Sequence, residues 1–185
     1  MKHELWYSVV VRDSQGKVIS RERRKSRSFL KQWNQMMFVQ MTGIQVLNVV
    51  RTDGGTFNLP KHENNFRMTG SVSTYGIVCG TGDTPVAIDD YALAALIAEG
   101  GGAGQFNYLG GTVSAVSLAA SHAQILVSRT AVNNSGNPIT VKEVGIYARA
   151  GSTRYCCGVR DVLGVPLAVP DGGGITVDYT LEVVA

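Results

Sequence analysis

Three histidines, three cysteines and a few acidic pairs are the residues of this chain best suited to chemistry, and their spacing limits what they can do. His3, His62 and His122 are scattered. No HExxH, no CxxC and no other zinc-ligand spacing occurs, so neither a metal nor a cofactor is expected. Cys79, Cys156 and Cys157 make an odd count with one adjacent pair, which does not read as a secreted disulfide framework. Adjacent cysteines bridge each other only with strain, and on a strand they point to opposite faces. Reduced, partly buried thiols are expected, which fits assembly in a cytoplasm.

Gly80-Thr81-Gly82 follows an apolar stretch and invites a phosphate-cradle reading. A dinucleotide fingerprint needs a third glycine and a helix opening at once, whereas here Pro85 follows. A tight turn is the expectation. Asp89 and Asp90 could serve a metal or acid–base work, but they precede a predicted helix, where capping and the helix dipole favour acids anyway. No G-x-S-x-G elbow and no Cys/His/Asp ordering suggests a triad. No catalytic residue is assigned, and the chain reads as non-enzymatic.

The elements around these residues are mostly strands. Leu5 to Val11, a turn at Asp13–Gly16 and Lys17 to Ser20 read as a hairpin. The basic run Arg21-Glu22-Arg23-Arg24-Lys25-Ser26-Arg27 reads as a solvated linker. A helix near 28–42 follows, with Phe29, Leu30, Trp33, Met36, Met37, Gln40 and Met41 mostly three and four residues apart. Lys31, Gln32, Asn34 and Gln35 form its polar side. Ser26 or Ser28 can cap it, and Gly43 lies just past its end. Ile44 to Arg51 reads as a strand, residues 58 to 70 as a loop, and Tyr75 to Cys79 as a buried strand. A second short helix is expected near 90–98, ended by Gly100, Gly101 and Gly102.

The last 80 or so residues look strand-rich. Candidates are Gly111 to Leu118, Gln124 to Ala131, Thr140 to Ala148, Arg154 to Asp161, Pro166 to Val169 and Ile175 to Val184. The last alternates cleanly, with Ile175, Val177, Tyr179, Leu181 and Val183 on one face. The fold class is therefore mainly β, an antiparallel, jelly-roll-like β-sandwich or barrel with an N-terminal hairpin and one or two short helices. Residues 1–25 would be a hairpin or arm with its basic linker, and 26–185 the β-rich domain.

Composition agrees with a folded chain. Of 185 residues, 44% are hydrophobic and only 17% charged, which leaves much of the surface neutral and suits burial against other subunits. Residues 1–70 carry 12 Lys/Arg against 5 Asp/Glu, and 71–185 carry 5 against 9, for a formal net charge of +3. The basic run could meet an acidic partner surface. No aromatic residues interleave with it, so nucleic acid is not an expected partner. No apolar signal stretch opens the chain and no run of 18 apolar residues occurs, so a membrane span is not expected either.

Four stretches in order carry a resemblance. They are Ser26 to Gln35, Gly76 to Leu93, Val141 to Tyr147, and Arg160 to Leu163 leading through Pro170–Gly174 to Ile175–Leu181. Together, over about residues 26 to 183, the chain resembles small virion structural proteins of tailed bacteriophages: head-decoration, tail or fibre-associated. The resemblance implies a virion component, assembled in the host cytoplasm, that forms a homo-oligomer (a trimer or ring) and docks on a major capsid or tail protein. Capsid decoration or a spike is slightly preferred over a tail or neck role. It also implies that the 80–85 turn and short helix pin one end of the sandwich, that Gly145 allows close backbone approach beside core Ile146, and that Arg160 and Asp161 bridge a strand edge. The N-terminal hairpin would add a strand to a neighbour's sheet. Trp6, Tyr7, Phe29, Trp33, Met36, Met37 and Met41 are the candidate subunit interface. The alternative is a receptor- or carbohydrate-binding tip domain using Phe106, Tyr108, Tyr147 or Tyr155. A hydrolase would need two carboxylates at working distance in a cleft.

Overall fold

A computed structural model describes residues 2–61, 67–119, 121–151 and 153–184; His62 lies outside them. The elements are β1 (Lys2–Arg12), β2 (Val18–Ser26), α1 (Lys31–Thr42), β3 (Val46–Val50), β4 (Thr56–Leu59), β5 (Gly76–Gly80), β6 (Asn107–Tyr108), β7 (Thr112–Val113), β8 (Ser117–Ala119), β9 (His122–Val132), β10 (Ile139–Arg149), β11 (Tyr155–Val169) and β12 (Gly174–Val184). Among the described residues one sheet runs β2-β1-β12-β9-β6, with β7 and β8 also paired to β9. A second runs β11-β10-β5, and β3 pairs with β4. Every strand pairing within these sheets is antiparallel.

Period-two alternation builds the sandwich. Leu5, Tyr7, Val9 and Val11 turn inward from β1, and Ile175, Val177 and Tyr179 from β12. The register sets Tyr7 opposite Tyr179 and Val9 opposite Val177. Val144, Ile146 and Val159 of the second sheet meet them in one buried cluster. The result is two packed sheets and not a closed barrel. The hairpin of residues 1–25 is no appendage here. β1 lies inside its own sheet, paired with β12 from Lys2 to Arg12.

The second sheet is covered on both faces. Val78, Tyr147 and Cys157 point away from the first sheet and pack with Leu30 and Leu93. Ala148, Ala150 and Cys156 pack against Met36 and Val39 of α1 and Val49, Phe57 and Leu59 of the β3–β4 hairpin. Cys156 and Cys157 thus join different clusters, as strand alternation requires, and all three thiols are free and buried.

Several local expectations fail for identifiable reasons. No helix forms over 90–98, because tertiary partners take that segment's backbone groups: Thr81 N–H donates to the Ala95 carbonyl and Ile97 N–H to the Cys79 carbonyl. The basic run is no linker: Arg21 to Ser26 belong to β2, paired along β1. Helix α1 starts at Lys31 with Leu30 as an N-cap that makes no side-chain bond. The Ile88 carbonyl accepts the Lys31 N–H instead. Gly43 ends the helix in the left-handed conformation expected of it, φ 64°. The helix buries Gln32, Met36 and Val39. Its inward stripe is therefore turned from the expected one, and Met37, Phe38 and Met41 are left exposed. The strand expected over 111–118 is two short ones, β7 and β8, whereas those expected over 154–161 and 166–169 form one long strand, β11.

Ile146 is fully buried between the sheets. Ile146→Ala is expected to cost about 3 kcal/mol. The check is a lower chemical-denaturation midpoint at unchanged slope.

Candidate functional site

The residues with the most chemical capacity meet at one place, on the outer face of the second sheet. Register pairs Gly145 with Arg160, so Glu143 and Arg160 share a face by alternation. Arg160 Nε donates to Glu143 Oε2 at 2.8 Å and Nη1 to Asp90 Oδ2 at 2.6 Å. Its Nη2 donates to the Thr84 carbonyl and hydroxyl. Glu143 is 0% and Arg160 1% exposed. Burial disfavours the guanidinium charge, but the bonds to Glu143 and Asp90 more than offset this and raise its pKa.

The remaining carboxylate lone pairs go to backbone amides. Gly82 and Ala95 N–H donate to Glu143 Oε1 at 3.1 and 2.8 Å, and Ala94 N–H to Oε2 at 3.1 Å. Tyr147 OH accepts the Leu93 N–H at 2.7 Å. Of the Gly80-Thr81-Gly82 turn only the Gly82 amide meets an anion, the chain's own Glu143 carboxylate, while Thr81 N–H goes to the Ala95 carbonyl. A Cβ at Gly80 or Gly82 would lie 2.5 or 2.6 Å from Glu143 Oε1, which is why both positions are glycine. At Gly145 a Cβ would meet the Val159 carbonyl at 2.6 Å, so the strands approach closely there. Asp90 caps no helix; it accepts from Ala87 N–H and Arg160.

Arg160 and Asp161 do not bridge an edge together. Asp161 pairs with Val144 and faces the sandwich interior, where it accepts Ser28 Oγ at 2.8 Å and Tyr179 OH at 3.0 Å. Burial pushes its carboxyl above the usual carboxylate range, and the hydroxyls of Ser28, Ser26 and Tyr179 oppose this only in part. Beside it Tyr7 OH donates to Glu22 Oε1, and Glu22 also accepts the Gly164 and Val165 N–H groups. This second network ties β2 to β11. A third buried charge, Arg129, donates to the carbonyls of Leu109, Tyr75, Ile77 and Val72 and stacks on Tyr108 at 4.5 Å.

Glu143, Arg160, Asp161 and Arg129 are all buried. Burial pushes the Cys79 and Cys156 thiols up to about 12, so neither is a nucleophile near neutrality. Glu4 and Glu182 stand opposite in the β1–β12 register, but Glu4 is held by Lys25 Nζ at 2.5 Å and Trp6 Nε1 at 3.2 Å. Among the described residues no group of three or more His, Cys, Asp or Glu could hold a metal.

The interface candidates divide. Tyr7 and Met36 are interior to the chain's own core and offer no surface. Trp6 lies half-buried on the sheet's outer face under Arg23. Phe29 and Trp33, with ring centroids 4.9 Å apart, line a groove of about 560 Å³ with Met37, Ile125 and Leu181. Met37 is 39% and Met41 80% exposed. Of the tip-domain aromatics, Phe106, Tyr108 and Tyr147 are core residues and only Tyr155 is partly exposed. The sequence reading missed the buried pair Glu143–Arg160. The available signal was a Glu and an Arg each inside an apolar strand pattern, since buried charges are seldom left unpaired. Comparison with family models, curated proteins and solved structures gives no match.

Glu143→Gln or Arg160→Met leaves an unpaired buried group and is expected to cost about 3–5 kcal/mol. The double variant should cost clearly less than the sum, read from denaturation midpoints in a double-mutant cycle. For Asp161 the raised folded-state pKa fixes the sign. Its contribution is fully present below the unfolded value of about 4 and is lost as pH rises through the folded value. Asp161→Asn should remove that decline, seen as a wild-type-minus-variant difference in melting temperature that becomes more positive on acidification.

Proposed function

We propose that the chain is a non-enzymatic structural component of a tailed-phage virion, assembling by self-association and docking on capsid or tail proteins. The observation that carries this reading is the apolar surface left on and just after α1: Met37, Phe38, Met41, Ile44 and Leu47 are all exposed. Exposed apolar residues are ordinary one at a time, but a run of five along one short segment marks a contact surface. The groove lined by Phe29, Trp33 and Leu181 adjoins it at Met37. Burial of this surface between copies would supply the driving force for association.

The chemistry-bearing residues support the same reading. Glu143, Arg160, Asp90 and Tyr147 are taken up in holding one segment onto a sheet. They fall within the motifs that resemble phage virion proteins, which gives those motifs a structural purpose. A capsid-decoration role is favoured over a tail or neck role by the resemblance alone. The tip-domain alternative lacks exposed aromatic residues at Phe106, Tyr108 and Tyr147.

Light-scattering mass measurement tests the proposal. The protein is expected to be a closed oligomer at about 100 micromolar. Met41→Glu combined with Leu47→Glu should shift it to a folded monomer whose melting temperature no longer rises with protein concentration. A wild-type monomer that also fails to bind purified particles would sink the proposal.

A further inference from the structure

A second surface carries a different chemistry. Arg51 after β3, Lys61 after β4 and Arg154 in the β10–β11 turn surround a cleft of about 620 Å³ whose other lining includes Thr56 and Asn58 of β4. The charge balance here differs from the rest of the molecule. Arg160, Lys142, Lys25 and Arg24 each have a carboxylate within ion-pair distance. Around the cleft the one such acid among the described residues is Asp53, at 3.1 Å from Arg51 Nε. Lys61 and Arg154 have no ion pair among the described residues, and Glu63 lies outside them. The Arg154 guanidinium rests 5.5 Å from the centre of the Phe57 ring, which holds it over the cleft. Among the described residues three cations meet one acid here, a balance that favours an anion, and guanidinium groups match carboxylates in a planar, two-bond geometry.

We propose that this cleft binds an acidic segment of a partner protein, whose carboxylates are held by Arg51, Lys61 and Arg154. The inference rests on the docking role proposed above and names the chemistry of the docked partner. Two observations favour a peptide over a nucleic acid. Phe57 is buried beneath Arg154, and Tyr75 and Tyr155 stack on each other at 5.8 Å, so these rings offer little free face to a base. The side chains of Thr56, Asn58 and Gln45 add neutral hydrogen-bonding groups suited to an extended main chain.

The test is fluorescence titration of the full chain with a labelled hexaglutamate peptide and, in parallel, a labelled oligothymidylate of equal charge. Wild type should bind the peptide, with affinity falling about tenfold as salt rises from about 50 to about 200 mM. Lys61→Glu with Arg154→Glu, both exposed positions, should weaken binding about a hundredfold at unchanged melting temperature. Arg21→Glu with Arg23→Glu on β2 should leave it intact. No peptide binding at low salt, equal binding by the cleft variant, or loss confined to the β2 variant would each overturn the proposal. Tighter binding of the oligothymidylate would overturn it too, by assigning the cleft to phosphodiesters. A stable oligomer that ignores the peptide sinks this inference alone, whereas a monomer that binds it sinks only self-association.

Discussion

A carboxylate buried on a sheet face has to be neutralised and fully hydrogen-bonded, and that requirement at Glu143 organises much of this protein. Arg160 supplies the charge, and amides of Gly82, Ala94 and Ala95 supply the remaining donors. Those amides belong to a long irregular segment between β5 and β6. Satisfying Glu143 therefore also fixes that segment over the second sheet, and Leu93 is carried onto Tyr147 with it. Such a pair is weak evidence for net stability, because desolvation offsets the Coulomb attraction. Its stronger effect is on uniqueness: any other path for residues 81–99 would strand a buried charge.

The same logic recurs at two smaller nodes. Asp161 and Glu22 join the edges of the two sheets through Tyr179, Tyr7 and the amides of Gly164 and Val165. Arg129 gathers carbonyls from the segment ahead of β5, from Ile77 within β5 and from Leu109 after β6. Arg129 and Glu22 satisfy backbone groups through side-chain bonds, and Asp161 holds the hydroxyls of Ser28 and Tyr179.

The surface is divided by chemistry. Apolar side chains on and after α1 suit contact with another folded surface, while the cationic cleft beside the β3–β4 hairpin suits a charged ligand. Both lie on the helix-and-hairpin layer that covers the β10–β11 end of the second sheet. A docking subunit built this way would use its sandwich as a rigid base and this layer as its contact side.

Patterning along the chain was enough to determine the mainly β class, the N-terminal hairpin, the inward face of β12 and the C-terminus of α1 at Gly43. Period-two alternation and glycine geometry are local properties, so they are legible without a fold. What only the tertiary structure decided is where local preference loses. Residues 90–98 look helical, but their amides and carbonyls bond to Glu143 and β5 instead. The basic run looks like a linker, but pairing with β1 makes it a strand, its long side chains reaching solvent while the backbone stays in the ladder. Arg160 and Asp161 look like a pair, but neighbours on a strand face opposite ways, so each finds its partner across space. The candidate site escaped the sequence for that reason: Gly82 and Asp90 lie on one segment, Glu143 and Arg160 on two later strands, and only folding brings the buried charge to its counter-charge.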